Sequence, residues 1–75
     1  MPDEAGAVLA LGADVRRRRR SLGLKQEELA DLAGTSARFV GALENGKPTV
    51  RVDKVIAVLD ALGLELRADL RRAGS

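Results

Sequence analysis

Apolar residues recur along this chain at helical spacing, and Gly and Pro interrupt them at short intervals. Leu11, Val15 and Leu22 fall at i, i+4 and i+11 and mark one side of a first helix, predicted from about Leu9 to Leu22 and stopped by Gly23. A second helix is predicted over Gln26 to Ala33, with Leu29, Ala30, Leu32 and Ala33 apolar and Glu27 and Glu28 suited to its N-terminal dipole. Gly34 turns the chain, and Ser36 is a good N-cap for a third helix over Ala37 to Glu44, whose inner face carries Val40 and Leu43. Asn45-Gly46 and Pro48 stop it. A fourth helix, to about Leu62, carries the cleanest stripe: Val52, Val55, Ile56, Leu59 and Leu62.

After Gly63 the period drops to two. Leu64, Leu66, Ala68 and Leu70 alternate with Glu65, Arg67 and Asp69, as in an amphipathic strand. One strand in a helical chain has no partner for its backbone groups, so it frays, takes another protein's strand or pairs with the same strand of a second copy, and the small core favours the last. The predicted fold class is therefore all-α: a compact four- to five-helix domain with a short C-terminal β-strand that pairs across a homodimer. The expected organisation is a flexible N-terminus over 1–8, the helical domain over 9–63, the dimerisation strand over 64–70 and a tail over 71–75.

Length bears on this picture. Seventy-five residues make one small domain, and a chain of that size buries only about 60% of its unfolded surface, which leaves a monomer marginal and favours a partner chain. The chain has no Cys, His, Trp or Tyr, so disulfides, thiolate metal sites and imidazole catalysis are excluded. Ser21, Ser36 and Ser75 have no imidazole to activate them; neither an enzyme nor a cofactor is expected. No apolar run reaches the roughly 20 residues of a membrane span, and Met1-Pro2-Asp3-Glu4 lacks the basic region of a signal peptide. A cytoplasmic module is expected, with no membrane partner.

The net charge of +2 is unevenly placed. From residue 21 onward basic and acidic side chains cancel, and the excess lies in the run Arg16 to Arg20. Such a run fits nucleic acid, an acidic protein or an anionic membrane, and also a plain solvated face. Five successive residues at about 100° each wrap more than a full turn, so the arginines cannot share one face. Arg18 and Arg19 continue the Leu11–Val15 stripe, while Arg16, Arg17 and Arg20 are freer to reach solvent or phosphate.

Helices two and three with their Gly34-Thr35-Ser36 turn form a helix-turn-helix, in which the second helix enters the DNA major groove. Paired helices around a glycine turn also occur in proteins that never touch DNA. The side chains favour DNA: Ser36, Ala37 and Arg38 are small or basic, and Arg38 suits the O6 and N7 of guanine. Gln26, at the start of helix two, is placed to hold a phosphate together with the helix N–H groups, and Lys47, Arg16 and Arg17 are further phosphate candidates.

The segments Gly23-Leu24-Lys25-Gln26-Glu27-Glu28-Leu29-Ala30, Ala33-Gly34-Thr35-Ser36 and Leu43-Glu44-Asn45-Gly46-Lys47-Pro48 resemble the XRE (Cro/phage-repressor) helix-turn-helix family. Phe39 to Pro48, Val52-Asp53-Lys54-Val55 and Leu62-Gly63-Leu64-Glu65-Leu66 are most similar to HipB-type antitoxins, small dimeric repressors that bind a kinase-like toxin and repress their own operon. The resemblance implies a repressor on a palindromic operator in double-stranded DNA, a homodimer, and a HipA-like kinase toxin as partner; the alternative is a solitary XRE-type regulator. It implies groove-facing roles for Ser36, Ala37, Arg38 and Ala42, phosphate contacts for Gln26, Asn45 and Lys47, and an internal ion pair between Arg19 and Glu44. Lys25 departs from the usual Thr or Ser cap, which weakens the cap by ~1 kcal/mol and adds a cation near the phosphates. Arg18 replaces a common apolar residue and is expected to snorkel toward the DNA side.

Overall fold

Four helices make up the described part of the chain, residues 4–68 of a computed structural model: α1 (Glu4–Ser21), α2 (Gln26–Ala33), α3 (Ala37–Glu44) and α4 (Val52–Ala61). Each ends in the same closure, in which a glycine and the residue after it donate their N–H groups back to the last turn. Between α2 and α3 the closure sets the motif's geometry. Gly34 adopts φ 71°, and the Gly34 and Thr35 N–H groups reach Asp31 O at 3.3 Å and Ala30 O at 2.9 Å. A side chain at position 34 would strain that left-handed backbone.

The helix starts are set differently. Ser36 Oγ accepts the Phe39 N–H at 3.1 Å and caps α3, a bond worth about 1 kcal/mol. Lys25 has no acceptor to cap α2, but Glu28 Oε1 accepts the Lys25 N–H at 2.8 Å, so half of a capping box survives. Asp53 accepts the Lys54 N–H at 2.9 Å in the first turn of α4.

The core holds Val15 from α1, Leu29 and Ala30 from α2, Val40 and Leu43 from α3, and Val55, Val58 and Leu59 from α4, with Leu62 just beyond it. α2 packs on both α3 and α4, and α1 packs on α3. α1 contributes Val15 alone to that buried set, with Leu11 packed against it, and approaches α3 through Gly12, where a Cβ would overlap the Leu43 carbonyl oxygen.

Several expectations are corrected. α1 begins at Glu4 rather than near Leu9, because nothing between them but Gly6 opposes a helix. Leu22 is exposed, lying in the closure after α1 rather than on its inner stripe. Val52 and Ile56 are 62% and 42% exposed, and the fully buried Val58 takes the place given to them. α4 carries more apolar residues than one inner face can hold, and α2 covers the Val55–Val58–Leu59–Leu62 side. There is no strand among the described residues. Leu64 instead donates its N–H to Leu59 O at 2.8 Å and packs against the core, so the α4 closure uses the group a ladder would need. Leu66 and Ala68 are exposed, while Leu70 and the tail 71–75 lie outside the described residues, as do residues 1–3.

Candidate nucleic-acid interface

With Val40 and Leu43 turned inward, α3 presents the exposed Ser36 and Arg38 and the half-buried Ala37 and Ala42 on its outer side. A hollow lies along each flank. Arg19, Lys25, Gln26, Glu27 and Ala37 line the one on the α2 side. Arg38, Ala42 and Lys47 share the other with the loop and the start of α4. Arg38 lines this second hollow, and its side chain makes no hydrogen bond or ion pair with any described residue. Its five N–H donors are open to an acceptor.

One carboxylate holds this arrangement. Glu44, whose side chain is fully buried, accepts Arg19 Nε at 2.6 Å and Arg19 Nη2 at 2.9 Å. It also accepts Gln26 Nε2 at 3.2 Å and Arg16 Nε at 3.4 Å. Arg19 Nη1 donates to Leu24 O at 2.9 Å, and Arg16 Nη2 donates to Asn45 Oδ1 at 3.2 Å. The C-terminal end of α3 is thereby tied to α1 and to the start of α2. Gln26 spends one amide N–H on Glu44 and has a second to donate. Burial alone would push the Glu44 carboxyl up, but the hydrogen bonds from Arg19, Gln26 and Arg16, with the Arg19 charge, hold it below the usual carboxylate range. The bond to Glu44 raises the Arg19 guanidinium further.

A pH dependence follows. A carboxyl depressed in the folded state stabilises the fold above its unfolded pKa of about 4.3 and loses that contribution as pH falls through the lower folded value. Thermal melts are expected to be flat from about pH 5 to 8 on this account and to fall below about pH 4. A melting temperature unchanged down to pH 2.5 would contradict the depressed carboxyl.

The structure brings Arg16, Gln26, Asn45, Arg19 and Glu44 into one network and sets Lys25 and Lys47 on opposite flanks of α3. It does not bring Arg17 there: its guanidinium pairs with Asp14 one turn back on exposed α1. Arg18 also departs from expectation, since its Nε donates to Leu62 O at 2.9 Å and holds the end of α4 rather than facing α3. Two cations in the loop-side hollow went unread. Arg51 chelates Asp53, and Lys54 stands 5.7 Å above the Phe39 ring. Their only sequence signal was positive charge bracketing the start of a helix.

Residues 15–68 match the family model described as helix-turn-helix. The chain is 46% identical over 56 residues to the HTH-type transcriptional regulator y4mF of Sinorhizobium fredii, covering 75% of this chain and 74% of that one. The crystal structure of the clp gene regulator ClgR from Corynebacterium glutamicum superposes with a TM-score of 0.69 at 31% identity, over 85% of this chain and 65% of that one.

Proposed function

Since the chain belongs to the helix-turn-helix (XRE) family of transcriptional regulators, we propose that it represses transcription by laying α3 in the major groove of an operator. The carrying observation is Arg38: exposed, its side chain unpaired among the described residues, in a hollow it shares with Lys47 beside α3. Arg38 donates to a guanine edge, Ala37 and Ala42 give apolar contact, and Ser36 contributes whatever its hydroxyl can add beside the cap it already makes. Gln26, Lys25, Asn45, Lys47 and Arg16 hold phosphates on either side, and Arg17 adds charge at longer range.

Two copies complete the reading. A homodimer sets its α3 helices ~34 Å apart, matching a palindrome, and the exposed Leu66, Val52 and Ile56 give apolar surface for association. The resemblance to HipB-type antitoxins adds a HipA-like kinase toxin as partner, acting in the cytoplasm beside the operon. A kinase-like reading frame next to this gene, and its co-purification with the chain, support that role. Without such a frame the protein is a solitary regulator.

The DNA reading is tested by selecting duplexes from a random pool with the wild-type protein and titrating the selected and a random duplex. Arg38→Ala is expected to lose ~1–3 kcal/mol at one G·C pair and to relax preference there. Lys47→Ala is expected to weaken every duplex alike. If Arg38→Ala keeps both affinities of the wild type, α3 does not read bases.

A further inference from the structure

We propose that a second copy of this chain docks the outer side of its α2 into the hollow between α1 and the end of α3, so that copies join head to tail. The contact is separate from the two-fold dimer and uses none of the groove-facing side of α3. Leu9, Ala13, Arg16 and Arg20 fall at i, i+4, i+7 and i+11 on one side of α1. With Arg17 and Glu44 they line a hollow of about 600 Å³. One end of it is apolar, with Leu9 55% exposed, and the other is cationic. Glu44 leaves that charge standing, because its buried carboxylate is shared among Arg19, Gln26 and Arg16. Arg17 pairs with Asp14, and the Arg20 guanidinium has no partner among the described residues. A phosphate backbone makes no use of a leucine wall, whereas a protein helix carrying one apolar and one acidic position fits both ends. Leu9 and Ala13 precede residue 15, where the helix-turn-helix match begins, so the apolar end lies outside the matched domain.

The matching set is on α2. Glu28 and Leu32 are exposed one turn apart, on the side away from the buried Leu29 and Ala30, with Asp31 beside them. Leu32, at 65%, is the most exposed large apolar side chain among the described residues. Laid antiparallel in the hollow, Leu32 meets Leu9 and Ala13. Glu28, four residues back and about 6 Å along the axis, then stands level with Arg17 and within reach of Arg20. Its Oε1 accepts the Lys25 N–H, which leaves Oε2 for a guanidinium. Hollow and docking side are different surfaces of one molecule, so the contact is heterologous and each copy offers one of each. One leucine and an exposed ion pair make a small, weak interface, suited to copies already held close together.

The test measures association by sedimentation without DNA for wild type, Ala13→Glu, Leu32→Lys and Arg20→Glu, all at exposed positions, with thermal melts to verify folding. Wild type is expected to grow beyond the two-fold dimer as its concentration rises, and less so as salt rises from about 50 to 300 mM. Each variant alone is expected to weaken that growth by about tenfold or more. A 1:1 mixture of Ala13→Glu and Leu32→Lys is expected to regain it, since the first keeps its α2 and the second keeps its hollow. No growth in wild type, or growth that either of these two variants preserves, overturns the inference. So does a mixture that fails to regain the contact, because the hollow then does not take α2. If Arg20→Glu loses duplex affinity while association holds, the hollow serves DNA and not a second copy. The reading of α3 stands or falls separately, on the Arg38→Ala titration.

Discussion

Glu44→Ala is expected to remove a large share of the protein's stability. Its carboxylate is fully buried and accepts both nitrogens of the Arg19 fork, whose side chain is itself only 10% exposed. With the carboxylate gone, Arg19 keeps one bond, to Leu24 O, and a charge with no counterion. Breaking a buried pair from one side costs about 3–5 kcal/mol. A domain of 75 residues has on the order of 4–11 kcal/mol in all, from about 0.05–0.15 kcal/mol per residue. The melting temperature by circular dichroism should fall by roughly 15–30 °C, using about 4–8 °C per kcal/mol for a domain this small. A single variant melting within 3 °C or so of the wild type would show that the pair does not hold the fold. The double variant Arg19→Met, Glu44→Leu separates stability from orientation. Replacing a buried pair with apolar side chains is often neutral or stabilising, so the melt should recover. DNA affinity should not, because Gln26 and Arg16 lose the carboxylate that aims them.

That hub marks how far the sequence could be read. Helices α2 and α3 were legible to the residue, because Gly34, Ser36 and Asn45-Gly46 are local signals that tertiary contacts seldom override. Glu44 was not legible from pattern, since an acid at a helix end reads as solvated; only the family resemblance paired it with Arg19. Its links to Arg16 and Gln26 depend on how α1 and α2 pack on α3, long-range facts that periodicity does not encode. The same blindness misplaced Val52 and Ile56, since a stripe says which residues share a side but not which side a neighbour covers. The alternation after Gly63 pointed to a strand, yet Leu64 is held in the α4 closure, where hydrogen bonding to the last turn wins over period. Arg51 and Lys54 join the flank of α3 only because the loop from Gly46 folds back, so charge near a helix start gave no direction.

Gly12 supplies the second large effect, and its sign opposes what local propensity predicts. Inside a helix, Ala is favoured over Gly by about 1 kcal/mol, so Gly12→Ala in an isolated α1 would be stabilising. In the folded chain the new Cβ would overlap the Leu43 carbonyl oxygen and come within 2.9 Å of the Glu44 carbonyl oxygen. Both obstacles are backbone at the end of α3, so no side chain can rotate away, and α1 must slide or tilt instead. Moving α1 draws Val15 out of the core and Arg19 away from Glu44. A net loss of about 2–3 kcal/mol is expected, near the top of the usual range for overpacking, or roughly 10–20 °C in the melt. Gly41→Ala is the matched control on α3. Its Cβ would meet only the Gln26 amide, at 3.7 Å, an ordinary contact with the end of a side chain. There the helix gain stands almost unopposed, and the melt should hold or rise by a few degrees. The same substitution in two helix interiors should therefore move stability in opposite directions. If both variants melt alike, α1 does not cross α3 at the distance the closed network of Glu44 requires.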